Sequence, residues 1–291
     1  MEGDRVVKVL VTGDKGFVGR HTVPVLRAAG HEVEGFDAAD GLDLREGLFD
    51  AAERVDVVLH LAAVAQFAAA DENPIQALEV NALGTRNVVR ACEAFSLPLV
   101  HASTGSVYMP VLDVPIREDH RLSGNSVYGV TKRIAEAYVE EAKVPAVILR
   151  YAHLYGPGKI GHGLVGGVLG RIAIGEPPLV MGDGNQTNDF TYISDIAAAN
   201  LAAVERVYLY PGVRAYNIGT GVELSAMDAA RIVAERAGWT GPIEHAPRRE
   251  VDASRFAFDV SAAERDLGWK ALVPFWKGME TMLKEIEWAS K

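Results

Sequence analysis

The chain has 291 residues, 49% of them apolar, with a net charge of −10 and a single cysteine. That length fits one large domain or two closely packed ones, and the apolar content supports a substantial core. The acidic balance argues against a nucleic-acid partner, and the lone Cys92 excludes an internal disulfide or a multi-cysteine metal site.

Met1–Arg5 is polar and leads into a short strand-like run, unlike a secretory signal. No apolar stretch approaches the roughly 20 residues needed to cross a bilayer. The expectation is a cytoplasmic protein with no membrane segment and no metal.

In chain order, β-branched apolar runs predict strands at Val6–Val11, Glu32–Asp37, Val55–Leu61, Leu99–Ser103 and Ala146–Tyr151. Between them, helical spacing predicts helices near Phe17–Ala29, Asn73–Phe95 and Val127–Lys143. Nearly all-apolar strands separated by helices indicate a parallel sheet covered on both faces, an α/β doubly wound architecture. Cys92 falls on the apolar side of the second helix and reads as a buried structural thiol.

Beyond Gly156-Pro157-Gly158 the pattern is less regular. A glycine-rich helical piece, Leu164–Ile174, precedes a turn-rich loop at Val180–Gly184. Strand, helix and strand follow at Phe190–Ile193, Asp195–Val204 and Ala215–Ile218, then helices near Ser225–Ala237 and Phe275–Trp288. This order predicts a discontinuous organisation, with residues 1–153 plus 188–217 as a nucleotide domain and 154–187 plus 218–291 as a smaller cap.

Thr12-Gly13-Asp14-Lys15-Gly16-Phe17-Val18-Gly19 sits between the first strand and first helix. Gly13 can make the tight turn, Gly16 lets backbone approach a pyrophosphate, and Gly19 lets helix pack on sheet. Asp37, at the end of the second strand, is placed to bind a ribose 2′-hydroxyl and repel a 2′-phosphate, which favours NAD over NADP.

Tyr128 and Lys132 are four apart at the start of a helix, so they share one face. A tyrosine acting as a base near neutrality needs its pKa of about 10 lowered by roughly three, or about 4 kcal/mol. One cation about 4 Å away at an effective dielectric of about 20 supplies roughly that much. Tyr155 and Lys159 have the same spacing, but Gly156, Pro157 and Gly158 between them forbid a regular helix.

Together these segments resemble the extended short-chain dehydrogenase/reductase family, within it the NAD-dependent nucleotide-sugar epimerases and dehydratases. The resemblance runs from Val6 to about Trp288 and rests on several further segments. They are Asp43-Leu44-Arg45, His60-Leu61-Ala62-Ala63, Asn81–Asn87, Ala102–Tyr108 and Leu149–Gly158. It implies a Rossmann domain with a C-terminal sugar-nucleotide cap, and a homodimer through the helices at Val127–Lys143 and Asn81–Phe95.

The resemblance also implies residue roles. Thr104 would hydrogen-bond the reacting sugar hydroxyl, Tyr128 would act as acid and base, and Lys132 would hold the nicotinamide ribose while depressing the tyrosine pKa. Cofactor contacts would extend to Lys15, Phe17, Val18, Asp43, Leu44, Leu61, Ala62 and Ala63. Asn81, Ala102, Ser103, Tyr151 and His153 would complete them. Substrate contacts would come from Thr104, Ser106, Tyr128, His153, Asn188 and Arg249. Two positions depart from the family: His153 stands where asparagine is common, and Asn188 where an arginine faces the substrate diphosphate.

The function this implies is a nucleotide-sugar 4-epimerase of the UDP-glucose/UDP-galactose type, working through a transient 4-keto sugar. An NAD(P)H-dependent keto-sugar reductase is the alternative. A 4,6-dehydratase is disfavoured because Gly105 and Ser106 occupy the places of its usual acids, and a redox-inactive binding protein is disfavoured by the intact Thr104, Tyr128 and Lys132.

Overall fold

The computed structural model describes residues 6–111, 113–248 and 253–285. The first half alternates strand and helix. The order is β1 (Lys8–Thr12), α1 (Phe17–Ala28), β2 (Glu32–Phe36), α2 (Phe49–Ala52), β3 (Val57–His60), α3 (Phe67–Glu72), α4 (Pro74–Leu78), α5 (Thr85–Phe95), β4 (Leu99–Thr104), α6 (Val127–Glu140) and β5 (Ala146–Tyr151). The second half is more broken. It runs β6 (His153–Tyr155), α7 (Gly163–Ala173), β7 (Leu179–Met181), β8 (Thr187–Asn188), β9 (Phe190–Tyr192), α8 (Ile193–Arg206), β10 (Val213–Ile218), β11 (Leu224–Ser225), α9 (Ala226–Arg236), β12 (Glu244–Ala246) and α10 (Phe275–Glu285).

Six strands form one parallel sheet in the order β10-β5-β4-β3-β1-β2. The order reverses direction beside β1, which opens a crevice at the carboxyl ends of β1 and β3, where such sheets bind ligands. Alternation along each strand sends side chains to opposite faces. Val9, Val11, Leu59, Val100 and Leu149 join the core shared with α1 and α8, and Leu10, Val58, Leu99 and Ile148 join the core under α5 and α6. Cys92 lies in the second core, and burial pushes its thiol up to about 12, as expected of a structural cysteine.

Three two-stranded pairs carry the rest: β6 with β9, β8 with β11, and β7 with β12. Val180 and Met181 therefore lie on a strand, and the turn expected over Val180–Gly184 begins only at Gly182. The single helix expected over Asn73–Phe95 is also corrected. Its middle, Glu79–Gly84, widens to a π-type turn between α4 and α5.

One buried carboxylate fastens the short strands to the segments that follow β10. Asp189 accepts from Thr220 N at 2.8 Å, Thr220 Oγ1 at 2.6 Å, Gly221 N at 2.9 Å and Phe258 N at 3.4 Å. Among the described residues, no helix is long and apolar enough to cross a membrane.

Candidate active site

The glycine turn closes against the end of β3. Gly13 has φ +71°, and a Cβ there would stand 2.7 Å from the Cα and N of Ala62. A Cβ on Gly19 would stand 2.2 Å from the carbonyl oxygen of Gly13. Gly16 caps α1 with no side-chain hydrogen bond, and no acid lies in the first turn. The N-terminal amides of α1 are thus left to an anion, whose charge the helix dipole favours.

Asp37 follows directly on β2, which ends one residue earlier than expected, and caps the short turn Ala38–Asp40. Its carboxylate accepts from Lys15 N at 3.1 Å and Ala39 N at 2.9 Å, which fixes it at the rim of the crevice. The Lys15 side chain turns to Asp40. Asp43 is locked by Arg45, whose guanidinium holds the carboxyl below its usual range. Leu44 is buried against Gly84, and Asn87 Nδ2 donates to its carbonyl at 2.8 Å. Phe17, Val18, Leu61, Ala62 and Ala63 line the same opening, each partly accessible. A cradle too tight for any Cβ, free helix amides and a fixed acid at the end of β2 fit a dinucleotide.

Thr104 ends β4 beside Tyr151 in the sheet register. It caps the short turn Gly105–Tyr108, accepting from Ser106 N at 3.2 Å and lying 3.3 Å from Ser106 Oγ. Tyr128, in the first turn of α6, lies beside Thr104, which works against the rise that burial imposes on its phenol, and its ring meets Phe67 edge-on at 5.4 Å. Ser126 starts that helix by accepting from Gly129 N at 3.0 Å. Thr104, Ser106 and Tyr128 therefore meet at the carboxyl edge of the sheet.

Lys132 shares the face of Tyr128 but turns inward. Its Nζ lies 3.2 Å from Nε2 of His101. The depression of the tyrosine by this lysine is not what the folded chain sets up. Burial dominates and pushes the phenol up to about 12, opposed by Thr104. Burial likewise lowers Lys132 to about 8, opposed by the charge of Glu136.

The other predicted residues lie around this cluster, several of them hydrogen-bonded within the protein. Asn81 is buried, its Oδ1 accepting from Val64 N at 2.7 Å and its Nδ2 donating to Val64 O at 3.1 Å and Thr131 Oγ1 at 3.0 Å. Tyr151 gives its hydroxyl proton to Asn200 Oδ1 at 2.6 Å, and Ser103 donates to Glu136 at 2.5 Å. Ala102 packs into the core. His153 lies exposed at the start of β6, its ring edge-on to Phe256 at 5.2 Å. Asn188 lies on β8, paired with Leu224. Arg249 lies outside the described residues. Tyr155 is buried and donates to Phe275 O at 3.0 Å, and the segment up to Lys159 is not helical.

Sequence reading missed His101 and Glu136 behind the site, and gave no individual role to His60, Tyr108 or Arg150 within the segments that carry the resemblance. The available signal was a polar residue at or near the end of an otherwise apolar strand, such as His60 in Val57–His60 or Arg150 in Ala146–Tyr151.

Residues 9–219 match the model of the NAD-dependent epimerase/dehydratase family. The chain belongs to that family. It is 30% identical over 301 aligned residues to a Methanocaldococcus jannaschii protein named provisionally as a UDP-glucose 4-epimerase, with 94% of this chain and 97% of that one covered. It is similar in structure to the UDP-glucose 4-epimerase of Thermus thermophilus, solved with NAD. There the TM-score is 0.84 and the identity 30%, over 97% of this chain and 100% of the other. Family members with other chemistry are similar too. UDP-glucuronic acid decarboxylase 4 of Arabidopsis thaliana is 28% identical over 97% of this chain and 69% of its own.

Proposed function

We propose that this chain is an NAD-dependent nucleotide-sugar 4-epimerase acting on a UDP-sugar of the glucose/galactose type. The observation that carries the reading is the Thr104–Tyr128 pair at the crevice, with glycine and serine rather than acids at positions 105 and 106. Position 105 has no room for one: a Cβ on Gly105 would stand 2.3 Å from Phe256 Cζ. A dehydratase needs an added acid and base to expel water, so this geometry supports proton exchange at one carbinol instead. The named epimerases among its relatives support the same conclusion.

Gly13, Gly16 and the amides of Phe17 and Val18 would hold the pyrophosphate of NAD, and Asp37 the adenosine ribose. When bound, NAD supplies a reversible two-electron oxidant at the sugar's fourth carbon. Thr104 holds the reacting hydroxyl by a hydrogen bond. Tyr128 takes its proton and later returns it to the oxygen of the 4-keto sugar, once the sugar has turned so that its fourth carbon would regain hydride on the other face. Burial pushes the Tyr128 phenol up to about 12, so this reading requires that binding of cofactor and sugar bring the Lys132 ammonium, protonated below about 8, to bear on it.

The cap, residues 154–187 and 218–291, would hold the nucleotide diphosphate through Arg249, with Asn188 contributing a neutral hydrogen bond and His153 a contact to the sugar. Leu83, just before α5, and Val130, in α6, are exposed, which supports a homodimer through that face. The same reading implies a cytoplasmic enzyme.

The test is to offer UDP-, GDP-, dTDP- and CDP-sugars to purified protein without added cofactor and separate the products. An epimerase yields an isomer of equal mass, reversibly, with no net change in nicotinamide absorbance. Stoichiometric NAD(P)H consumption with a keto-sugar, and no isomer from any saturated sugar, would assign a reductase instead.

A further inference from the structure

Behind the crevice, on the α5–α6 side of the sheet, a row of polar side chains crosses the carboxyl ends of the strands. Register sets it: Thr12 lies beside His60, and His60 beside His101. The two histidines are buried with ring centres 5.2 Å apart, yet their hydrogen bonds differ in kind.

His60 is closed. Its Nδ1 lies 2.7 Å from Thr12 Oγ1 and its Nε2 2.9 Å from Thr85 Oγ1. Thr85 spends its only hydroxyl proton on Asn81 O at 2.6 Å, so it accepts from His60 Nε2–H. His60 Nδ1 then accepts from Thr12. Both ring nitrogens are satisfied, and nothing is left for Lys132.

His101 is open on one side. Its Nε2 meets Lys132 Nζ at 3.2 Å, while its buried Nδ1 has no partner among the described residues. An ammonium has only protons to give, so Nε2 is the acceptor and the ring proton sits on Nδ1. A buried N–H without an acceptor is destabilising, and a phenylalanine ring would fill the slot without that cost. Packing alone does not call for an imidazole here.

Lys132 has no other hydrogen-bond partner among the described residues. Glu136, one helical turn further on, is taken by Arg150 at 2.8 Å and by Ser103 at 2.5 Å. We propose that His101 is the positioning residue for Lys132, its neutral imidazole accepting one ammonium proton and leaving two to face the crevice. This rests on reading Tyr128 and Lys132 as the reacting pair.

The surroundings keep the imidazole in that role. His60 faces it from β3, Lys132 from α6 with Glu136 and Tyr128 one turn to either side, and Arg150 lies on β5. Burial first, then the Lys132 charge, holds His101 well below its ordinary value, and the same causes take His60 down to about 3. Both rings are therefore uncharged throughout the working range.

The test compares His101→Phe, which removes the acceptor, with His101→Gln, whose amide oxygen can reach the place of Nε2. In protein carrying ¹³Cε-labelled lysine, the Lys132 signal is assigned by its loss in Lys132→Met and titrated by NMR without substrate. Loss of the acceptor should weaken proton affinity at Lys132 by about three- to tenfold, moving the midpoint to lower pH, and His101→Gln should restore it. The alkaline limb of kcat should move the same way, with the sugar-nucleotide KM nearly unchanged.

A Lys132 midpoint unmoved in His101→Phe would overturn the proposal, whatever happened to stability or rate. If that variant fails to fold, His101→Asn, too short to reach Nζ, takes its place against His101→Gln. Because the titration uses no substrate, a shifted midpoint beside a negative sugar panel would sink the epimerase reading and leave the positioning role standing.

Discussion

Glu136 and Arg150 form an ion pair across the interface between α6 and β5, with side chains 0% and 3% exposed. Arg150 also donates to Tyr108 OH at 2.7 Å and to Glu118 O at 3.0 Å, and Tyr108 passes its own proton to Asn217 at 2.8 Å. The pair thus ties α6 to the sheet and to the segment that follows Thr104. Glu136→Gln keeps the shape but strands a buried guanidinium, and urea unfolding should show a loss of about 3–5 kcal/mol. Adding Arg150→Met to the same chain should recover part of it. A single variant within about 1 kcal/mol of the parent would show that water reaches the pair.

Lys132 is buried as a charge at neutral pH, and its removal should stabilise the protein while abolishing turnover. The folded chain releases this proton near 8 and the unfolded chain near 10.5, so the unfolded state binds more protons between those values. Parent stability gains from this group as pH rises through that window. In cofactor-stripped protein, Lys132→Met should be more stable at pH 7 by about 3 kcal/mol, at about 1.4 kcal/mol per tenfold in proton affinity. That advantage should shrink between pH 8 and 10.5. A difference that stays flat across the window would mean the ammonium is solvated in the folded state.

Tyr128→Phe and Tyr155→Phe separate two tyrosines with the same lysine spacing. The first removes the oxygen that meets Thr104, and kcat should fall by about 10²–10⁴. The second removes a hydroxyl bonded to Phe275 O at 3.0 Å, costing about 1 kcal/mol of stability while the chemical step survives. The opposite pattern in steady-state kinetics would move the catalytic role to Tyr155.

Cofactor choice can be read from Asp37. Its carboxylate also receives the amides of Lys15 and Ala39, so Asp37→Asn is a cleaner probe than alanine because an acceptor oxygen remains. Titration of stripped protein should show the preference for NAD over NADP narrowing by about tenfold, the equivalent of roughly one lost charged hydrogen bond. An unchanged ratio would place discrimination elsewhere on the rim.

Much of this was legible before any coordinates. Val9–Val11, Val57–Leu59 and Ala146–Leu149 are apolar enough to declare buried parallel strands, and the glycine turn follows from local chemistry, whereas the role expected of Tyr128 comes from the resemblance. The short pairs were not legible, because two or three residues such as Thr187–Asn188 carry no period to read. The widened turn at Glu79–Gly84 has ordinary helical spacing and leaves no trace in composition. Lys132's partner was hidden for another reason. His101 lies 31 positions away, and only the sheet register brings it beneath α6.

Apart from Thr191, two residues on, the donors to Asp189 come from positions 31 to 69 residues downstream. Five strands of the main sheet and the whole glycine turn precede residue 152, whereas this carboxylate lacks its complement until Phe258 has joined the fold. As the chain leaves the ribosome, the half that would grip the dinucleotide can take shape first. The half that would enclose the sugar must wait for Phe258. Truncations near the C-terminus should therefore impair sugar selection well before they impair retention of the nucleotide.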